Sequence, residues 1–366
     1  MKNIELLLDT VTESNHFNLD MKTIHIKTRI FSGNEIYKIL EGIKWANSHF
    51  PNNEFLISIK SRRFASYDVV TVTELIMLYL AINYPHLWRV RFEDQTMVDS
   101  NILFRDSLLQ KNNGLALGKQ YVTAFYSQKI TLEHYRAVIS LEDFLKDNKS
   151  ISSYCDDIYL FLKHANINES LCGDLFEACS EIIGNVFDHT ETDCIVDIKC
   201  SPTSIGSTFF SVSIISLSNV FIGTRIIELL DANKLSSYSG SNIVTKAYEY
   251  HSKRFNSLYD KNMFGFVCAF QNGVSTRENS KNSGGTGLTT LIKRIHGKKT
   301  TDEYNSYVLS GRNTLKLDNN YLNVNKNGLI GFNDENDFYG GVPKDSIIFI
   351  EPHVFPGTIF SISLLL

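Results

Sequence analysis

The segment Asn168 to Thr190, NESLCGDLFEACSEIIGNVFDHT, carries oxygen-bearing side chains at a spacing that can do chemistry. At ~100° per residue, Asp174, Glu177, Asn185 and Asp188 all fall within about 40° of Glu181 on a helix. The apolar residues Leu171, Leu175, Cys179, Ile182, Ile183, Val186 and Phe187 take an arc from about 80° to 240°. One face packs, and the other presents carboxylates and an amide. A solvated face is the plain alternative, yet such a face normally mixes Lys or Arg with its acids for i,i+4 pairing, and this stripe has neither. Oxygen ligands on one face suit a hard cation such as Mg²⁺, which keeps several waters and is shared with substrate phosphates. A Glu one turn before such a ligand is placed to polarise a water.

A second unit lies downstream, Ser283 to Gly297, SGGTGLTTLIKRIHG. Gly284, Gly285 and Gly287 allow the backbone to approach a ligand closely, and the apolar periodicity of Leu288, Leu291, Ile292 and Ile295 begins at once. This reads as a glycine loop opening a helix whose free N–H groups and positive dipole end favour phosphate. It is no Walker loop, because no Gly-Lys-Ser/Thr follows.

Taken together, Glu181-x-x-x-Asn185-x-x-Asp188-His189 and Gly284-Gly285-Thr286-Gly287-Leu288 resemble the ATP-binding domain shared by gyrase, heat-shock chaperones, sensor histidine kinases and mismatch-repair proteins, the GHKL or Bergerat fold. The resemblance spans roughly residues 150 to 366. It implies a two-layer α/β sandwich with ATP and Mg²⁺ as ligands, Glu181 as general base and Asn185 on the metal, while Gly285, Thr286, Gly287 and Leu288 surround the phosphates. Phe355-Pro-Gly-Thr-Ile-Phe-Ser-Ile is similar to the Gly-Thr turn leading into that family's last sheet strand; any terminal core strand is the alternative.

The resemblance fails between the boxes. The family has a strand ending in Asp-x-Gly-x-Gly whose Asp accepts a hydrogen bond from the adenine amino group, whereas Ser211 to Thr224, SVSIISLSNVFIGT, holds no Asp. One register puts Asn219 at the Asp position, Phe221 at the first glycine and Gly223 at the second; another uses Ser216. Residues 224 to 283 are expected to cover the nucleotide, with Arg277 and Lys281 within reach of the terminal phosphate or simply solvated. Asp188 orients a water or bonds the base, and His189 packs or caps.

These residues need a scaffold. The chain has 366 residues, 36 Lys+Arg against 40 Asp+Glu, a formal charge of −4, 43% hydrophobic residues, 24 Phe and 17 Tyr, enough for two domains with substantial cores. Near-neutral charge argues against a protein living mainly on nucleic acid. No secretory signal or spanning helix is evident, and six cysteines without close pairing read as buried reduced thiols, so a cytoplasmic protein is expected.

The pattern predicts an α/β fold: a small α/β domain over 1–125, a helical connector over 126–166, and the GHKL-like domain over 167–366. In the first domain, period-2 runs at Lys22 to Arg29, Glu54 to Lys60 and Trp88 to Phe92 alternate with helices, one capped by Ser32 and one over Thr71 to Asn83. QYVTAFY reads as a strand, followed by two helices, the first carrying His134, with Lys146 to Ser153 as their joint. Strands are expected around Ile195 to Lys199 and Phe209 to Leu217, a helix over about 287 to 296, and closing strands at Tyr307 to Leu309, Thr314 to Leu317, Leu329 to Phe332, Ser346 to Glu351 and Thr358 to Leu366. The basic turn Lys60-Ser61-Arg62-Arg63 and the pair Arg89 and Arg91 are candidate ligand contacts or solvated surface.

Three functions share these motifs: a nucleotide-dependent ATPase switch acting on a protein partner or as a homodimer, a degenerate protein-interaction module, and a protein kinase of the histidine kinase or anti-sigma type, for which His134 is the candidate acceptor.

Overall fold

The structure, a computed structural model, describes residues 1–12, 22–94, 102–146, 149–165, 167–203, 206–276, 287–295, 297 and 306–366. It has an α/β fold with a three-stranded parallel sheet and a six-stranded antiparallel sheet, joined by a helix that both cover, and a short two-stranded parallel pair.

Strands β1 (Thr23–Lys27), β3 (Phe55–Lys60) and β5 (Trp88–Phe92) form a parallel three-stranded sheet in the order β1-β3-β5. Each crossover carries a helix, as parallel pairing requires. Helix α1 (Gly33–His49) starts at Ser32, whose backbone N–H donates to the Glu35 carboxylate at 3.0 Å in a capping box. Helix α2 (Tyr67–Asn83) begins at Tyr67 rather than Thr71 and is buried along almost its whole length. A helix apolar all round belongs in an interior. Here its second partner is the large sheet. A two-residue pair, β2 (Ile30–Phe31) and β4 (Arg63–Phe64), extends this unit.

The large sheet is antiparallel, in the order β10-β11-β9-β8-β7-β6. Its members are β6 (Lys129–Ile130), β7 (His134–Ile139), β8 (Cys194–Pro202), β9 (Thr208–Leu217), β10 (Tyr307–Lys316) and β11 (Ile348–Leu365). Alternation along these strands feeds two cores. Tyr135, Ala137, Val196, Ile198, Val212, Ile214, Phe360 and Ile362 join one cluster with the helices that follow residue 149. Ile195, Phe209, Ile215, Leu217, Phe355 and Ile359 join the other, with α2 and the three-stranded sheet. Both faces of the sheet are therefore covered.

Several expectations need correction. QYVTAFY is helix α3 (Lys119–Tyr126), not a strand: Tyr121 and Phe125, at i and i+4, are both buried as it packs against α2. Aromatic β-propensity yields to that packing. The segment 126–166 is not a helical connector. It supplies β6 and β7 to the sheet, and only then helices α4 (Leu141–Lys146) and α5 (Lys149–His164). His134 thus sits on a strand, not a helix. Leu329 to Phe332 is no strand, because the Gln271 side chain replaces a strand neighbour: its Nε2 donates to the Ile330 carbonyl at 3.1 Å and its Oε1 accepts from the Ile330 N–H at 2.9 Å. The four remaining closing runs merge into β10 and the 18-residue β11.

The candidate cover over 224–283 is mostly a packed helical unit. Helices α7 (Thr224–Asp231), α8 (Ser241–His251) and α9 (Lys261–Ala269) follow α6 (Glu169–Thr190) in the chain, and Val244, Phe264, Phe266 and Phe270 are fully buried. All six cysteines are free and buried, as expected. No helix among the described residues is long and apolar enough to cross a membrane.

Candidate functional site: a cavity between helix and sheet

Helix α6 begins where Asn168 accepts from the Ser170 N–H at 3.0 Å and ends at Glu191, which adopts a left-handed conformation at φ 48°. Its phase matches the sequence. Leu175, Cys179, Ile182, Ile183, Val186 and Phe187 are buried, Glu181 and Asn185 are half-buried, and Asp188 and His189 are exposed. The half-buried pair faces a cavity of about 570 Å³, in the range of small-molecule sites.

The opposite wall is the turn from β9 into α7. Gly223 caps α7 at φ 86°, and a Cβ there would lie 2.2 Å from the Gly265 carbonyl carbon on α9. No other residue satisfies both constraints. Phe221 occupies the space left by the missing side chain of Gly311 on β10, whose added Cβ would meet the Phe221 ring at 3.1 Å, and the Ile222 N–H donates to Ser310 Oγ at 2.9 Å. The turn is thereby clamped to the sheet on one side and to α9 on the other.

The floor comes from the sheet. Ser216 on β9 stands opposite Thr358 on β11, and both line the cavity with Phe360. Thr358 Oγ1 lies 2.8 Å from Ser310 Oγ, whereas Ser216 Oγ, although buried, has no hydrogen-bond partner. Helix α10 (Gly287–Ile295) adds Leu288, and the buried Thr289 hydroxyl donates to the Phe270 carbonyl at 2.8 Å, anchoring α10 beside the end of α9.

Of the residues singled out from sequence, Glu181, Asn185, Asp188, Asn219, Gly223 and Leu288 converge on this one cavity. Gly287 opens helix α10, while Arg277, Lys281, Gly284, Gly285 and Thr286 lie outside the described residues. Asn219 is exposed at the rim and Ser216 is buried in the floor, so the second of the two registers places a polar group inside. Arg225, which sequence reading missed, also lines the cavity and pairs with Glu228 at 3.1 Å. Its signal was its position just after the helix-opening Gly223. Lys60, Arg62, Arg63, Arg89 and Arg91 do not line the cavity; Arg89 pairs with Glu54 at 3.7 Å on the surface.

The charge balance of the described lining is informative. Glu181, Asp188 and Glu228 stand against Arg225 as the only lysine or arginine. Such a wall repels an unaccompanied polyanion and favours one that brings a divalent cation.

A second polar cluster joins the back of the sheet to α2. Asp197 on β8 accepts from Tyr67 at 2.7 Å, Thr71 at 3.1 Å, His134 Nε2 at 2.6 Å and Arg136 Nε at 2.8 Å. Arg136 also reaches Glu74, and Glu74 accepts from the Leu108 N–H at 2.7 Å. Burial by itself would raise the Asp197 carboxyl, but Arg136 and His134 hold it far below the usual range. Burial lowers His134 to about 4 against the pull of Asp197. The geometry agrees: Lys129 Nζ lies 2.6 Å from Nδ1 and can only donate, so Nδ1 accepts and Nε2–H donates to Asp197 in a neutral ring. Lys129 itself is lowered to about 8, chiefly by burial. His134, at 1% exposure and engaged on both nitrogens, is no accessible phosphoacceptor.

No family model matches the chain. No curated protein and no solved structure matches it either.

Proposed function

We propose that the chain binds Mg·ATP in the cavity between α6 and the sheet and hydrolyses it slowly, as a GHKL-like switch for a protein partner or a second copy of itself. The observation that supports this reading is the convergence of Glu181, Asn185, Gly223 and Leu288, which come from three separate stretches of the sequence, on one cavity of about 570 Å³. The residues suit the ligand. The buried apolar lining residues Val186, Ile226 and Phe360 suit a flat ring, and the exposed Asp188 and Glu228 call for a cation with the phosphates. Bound Mg²⁺ would neutralise phosphate charge, and the Asn185 side-chain oxygen is the group that would hold it.

Glu181, one turn from Asn185, takes the proton of the attacking water as the water oxygen bonds to the terminal phosphorus and the bond to the bridging oxygen breaks, leaving ADP and phosphate. The three-stranded unit on the back of the same sheet is the part that senses the occupied site.

Calorimetric titration with ATP in the presence and absence of Mg²⁺ tests the reading. Binding that requires Mg²⁺ and weakens at least tenfold in Asn185→Ala is expected. No heat with the wild-type protein would sink it. Mg²⁺-dependent binding without phosphate release, unaltered by Glu181→Gln, would leave a nucleotide-sensing interaction module in place of an ATPase.

A further inference from the structure

Among the described residues of the large sheet, Tyr135, Ser213 and Ser216 each bury a hydroxyl without a hydrogen-bond partner, and of these three Ser216 is the one that lines the cavity. It is 1% exposed, its hydroxyl has no hydrogen-bond partner, and it stands in the cavity floor directly across from Thr358. A buried hydroxyl left unpaired costs free energy, and a partner brought by a ligand recovers it. The surroundings narrow the partner. Phe360, Val186 and Ile226 present apolar surface beside the two hydroxyls, which suits a heteroaromatic ring with apolar faces and a polar edge, rather than a sugar or a phosphate.

On the reading of the cavity as a nucleotide site, we infer that Ser216, supported by Thr358, reads the edge of the base and admits guanine as well as adenine nucleotides. The reason is the donor and acceptor inventory. An ionised carboxylate only accepts, so at this place it would welcome the amino group of adenine and repel the carbonyl oxygen of guanine. A serine hydroxyl rotates to do either. Thr358 Oγ1 lies 2.8 Å from Ser310 Oγ, and a hydroxyl engaged in one such bond can still make another. Asn219, exposed at the rim, contributes no discrimination inside. Phe360, the other sheet residue of the floor, is apolar and does not distinguish the two purines.

Competition between Mg·ATP and Mg·GTP, followed by calorimetry on the full chain, provides the test. The wild-type protein should bind both with dissociation constants within about tenfold of each other. Ser216→Ala should weaken both by about five- to tenfold, the value of one neutral hydrogen bond. It should not lower the melting temperature, because the hydroxyl removed has no partner in the fold. Ser216→Asp should keep ATP and lose GTP by at least a hundredfold. As the aspartate is the larger change, Ser216→Ala carries the decision if the aspartate variant does not fold. A wild-type preference for ATP beyond a hundredfold, or Ser216→Ala with unchanged affinities, would overturn this inference while leaving the nucleotide site standing. Absence of binding by either nucleotide would overturn both.

Discussion

Replacing Arg136 by leucine should cost the protein about 3–5 kcal/mol, with a pH signature that identifies the cause. The guanidinium is buried and bridges two buried carboxylates, with Nε 2.8 Å from Asp197 Oδ2 and the other nitrogens on Asp197 and Glu74. Removing it strands both charges in a region where water cannot reach them, which is the expensive way to break a buried pair. For a chain of this length unfolding as one unit, the loss corresponds to a fall of roughly 4–6 °C in melting temperature. In Arg136→Leu the two carboxyls have raised folded-state values, while in the unfolded chain they titrate near ~4. The folded variant therefore gains protons first as pH falls, and its deficit shrinks from pH 8 to pH 5 by up to about 1.4 kcal/mol per unit for each carboxyl titrating. Adding Glu74→Gln and Asp197→Asn should return at least half of the loss at pH 8. Urea denaturation of the wild type, Arg136→Leu and the triple variant at three pH values reads all of this. A deficit under about 1 kcal/mol, or one indifferent to both pH and the neutral partners, would refute the reasoning.

Two other outcomes follow from the geometry. Gly223→Ala combines a left-handed backbone costing about 1–2 kcal/mol with a methyl 2.2 Å from the Gly265 carbonyl carbon, adding about 1–3 kcal/mol; thermal melting should fall and nucleotide binding with it, and an unchanged melt would show that the turn is not clamped against α9. His134, held neutral down to about 4, binds its proton near ~6.5 once the chain unfolds, so stability present above that value should decline by up to about 3 kcal/mol as pH drops from 6.5 to 4. His134→Gln should flatten that slope in urea titrations, and an equally steep slope in the variant would assign it to other groups.

The sequence made α6 legible because its apolar arc has a strong helical period over many turns, and the same period fixed the faces of Glu181 and Asn185. Strands β8 and β9 were legible as apolar runs. Strand β7 was not. Its inward positions include His134 and Arg136, and a strand with charges on a buried face fits neither an alternating nor an apolar pattern. Asp197, Glu74 and Tyr67, all remote in sequence, make those positions tolerable, with Lys129 on the other nitrogen of His134. QYVTAFY failed for a similar reason: its tyrosines and phenylalanine fit a strand as well as a helix, and α2 decided between them. Ser216 was one of two candidates for the Asp position, and only the placement of Thr358 across from it and Asn219 at the rim separated them, while the role of Leu329 to Phe332 depended on one distant glutamine.

The polar cluster also bears on how the two faces of the sheet would communicate in the proposed switch. Strands buried on both sides are ordinarily near-continuous apolar runs, yet polar residues interrupt β7, β8, β9 and β11 on the face toward α2: His134, Arg136, Asp197, Lys199, Ser211 and Ser361. An interface of apolar side chains alone lets a helix shift along its axis at small cost. A carboxylate that accepts from Tyr67 and Thr71 on the helix, and from His134 and Arg136 on the neighbouring strand, does not. Nor does Asp68, which accepts from Tyr307 and from Ser361 at 2.7 Å. Helix α2 is thus tied to β7 and β8 at one point and to β10 and β11 at another, with β9 between them. The strands that carry Ser216 and Thr358 toward the cavity present their alternate residues Ile215, Leu217 and Ile359 to the core shared with α2. A ligand that moves the ends of β9 and β11 apart must either drag the helix with them or break one set of these hydrogen bonds. That is the physical path by which occupancy on one side of the sheet would reach the three-stranded unit on the other.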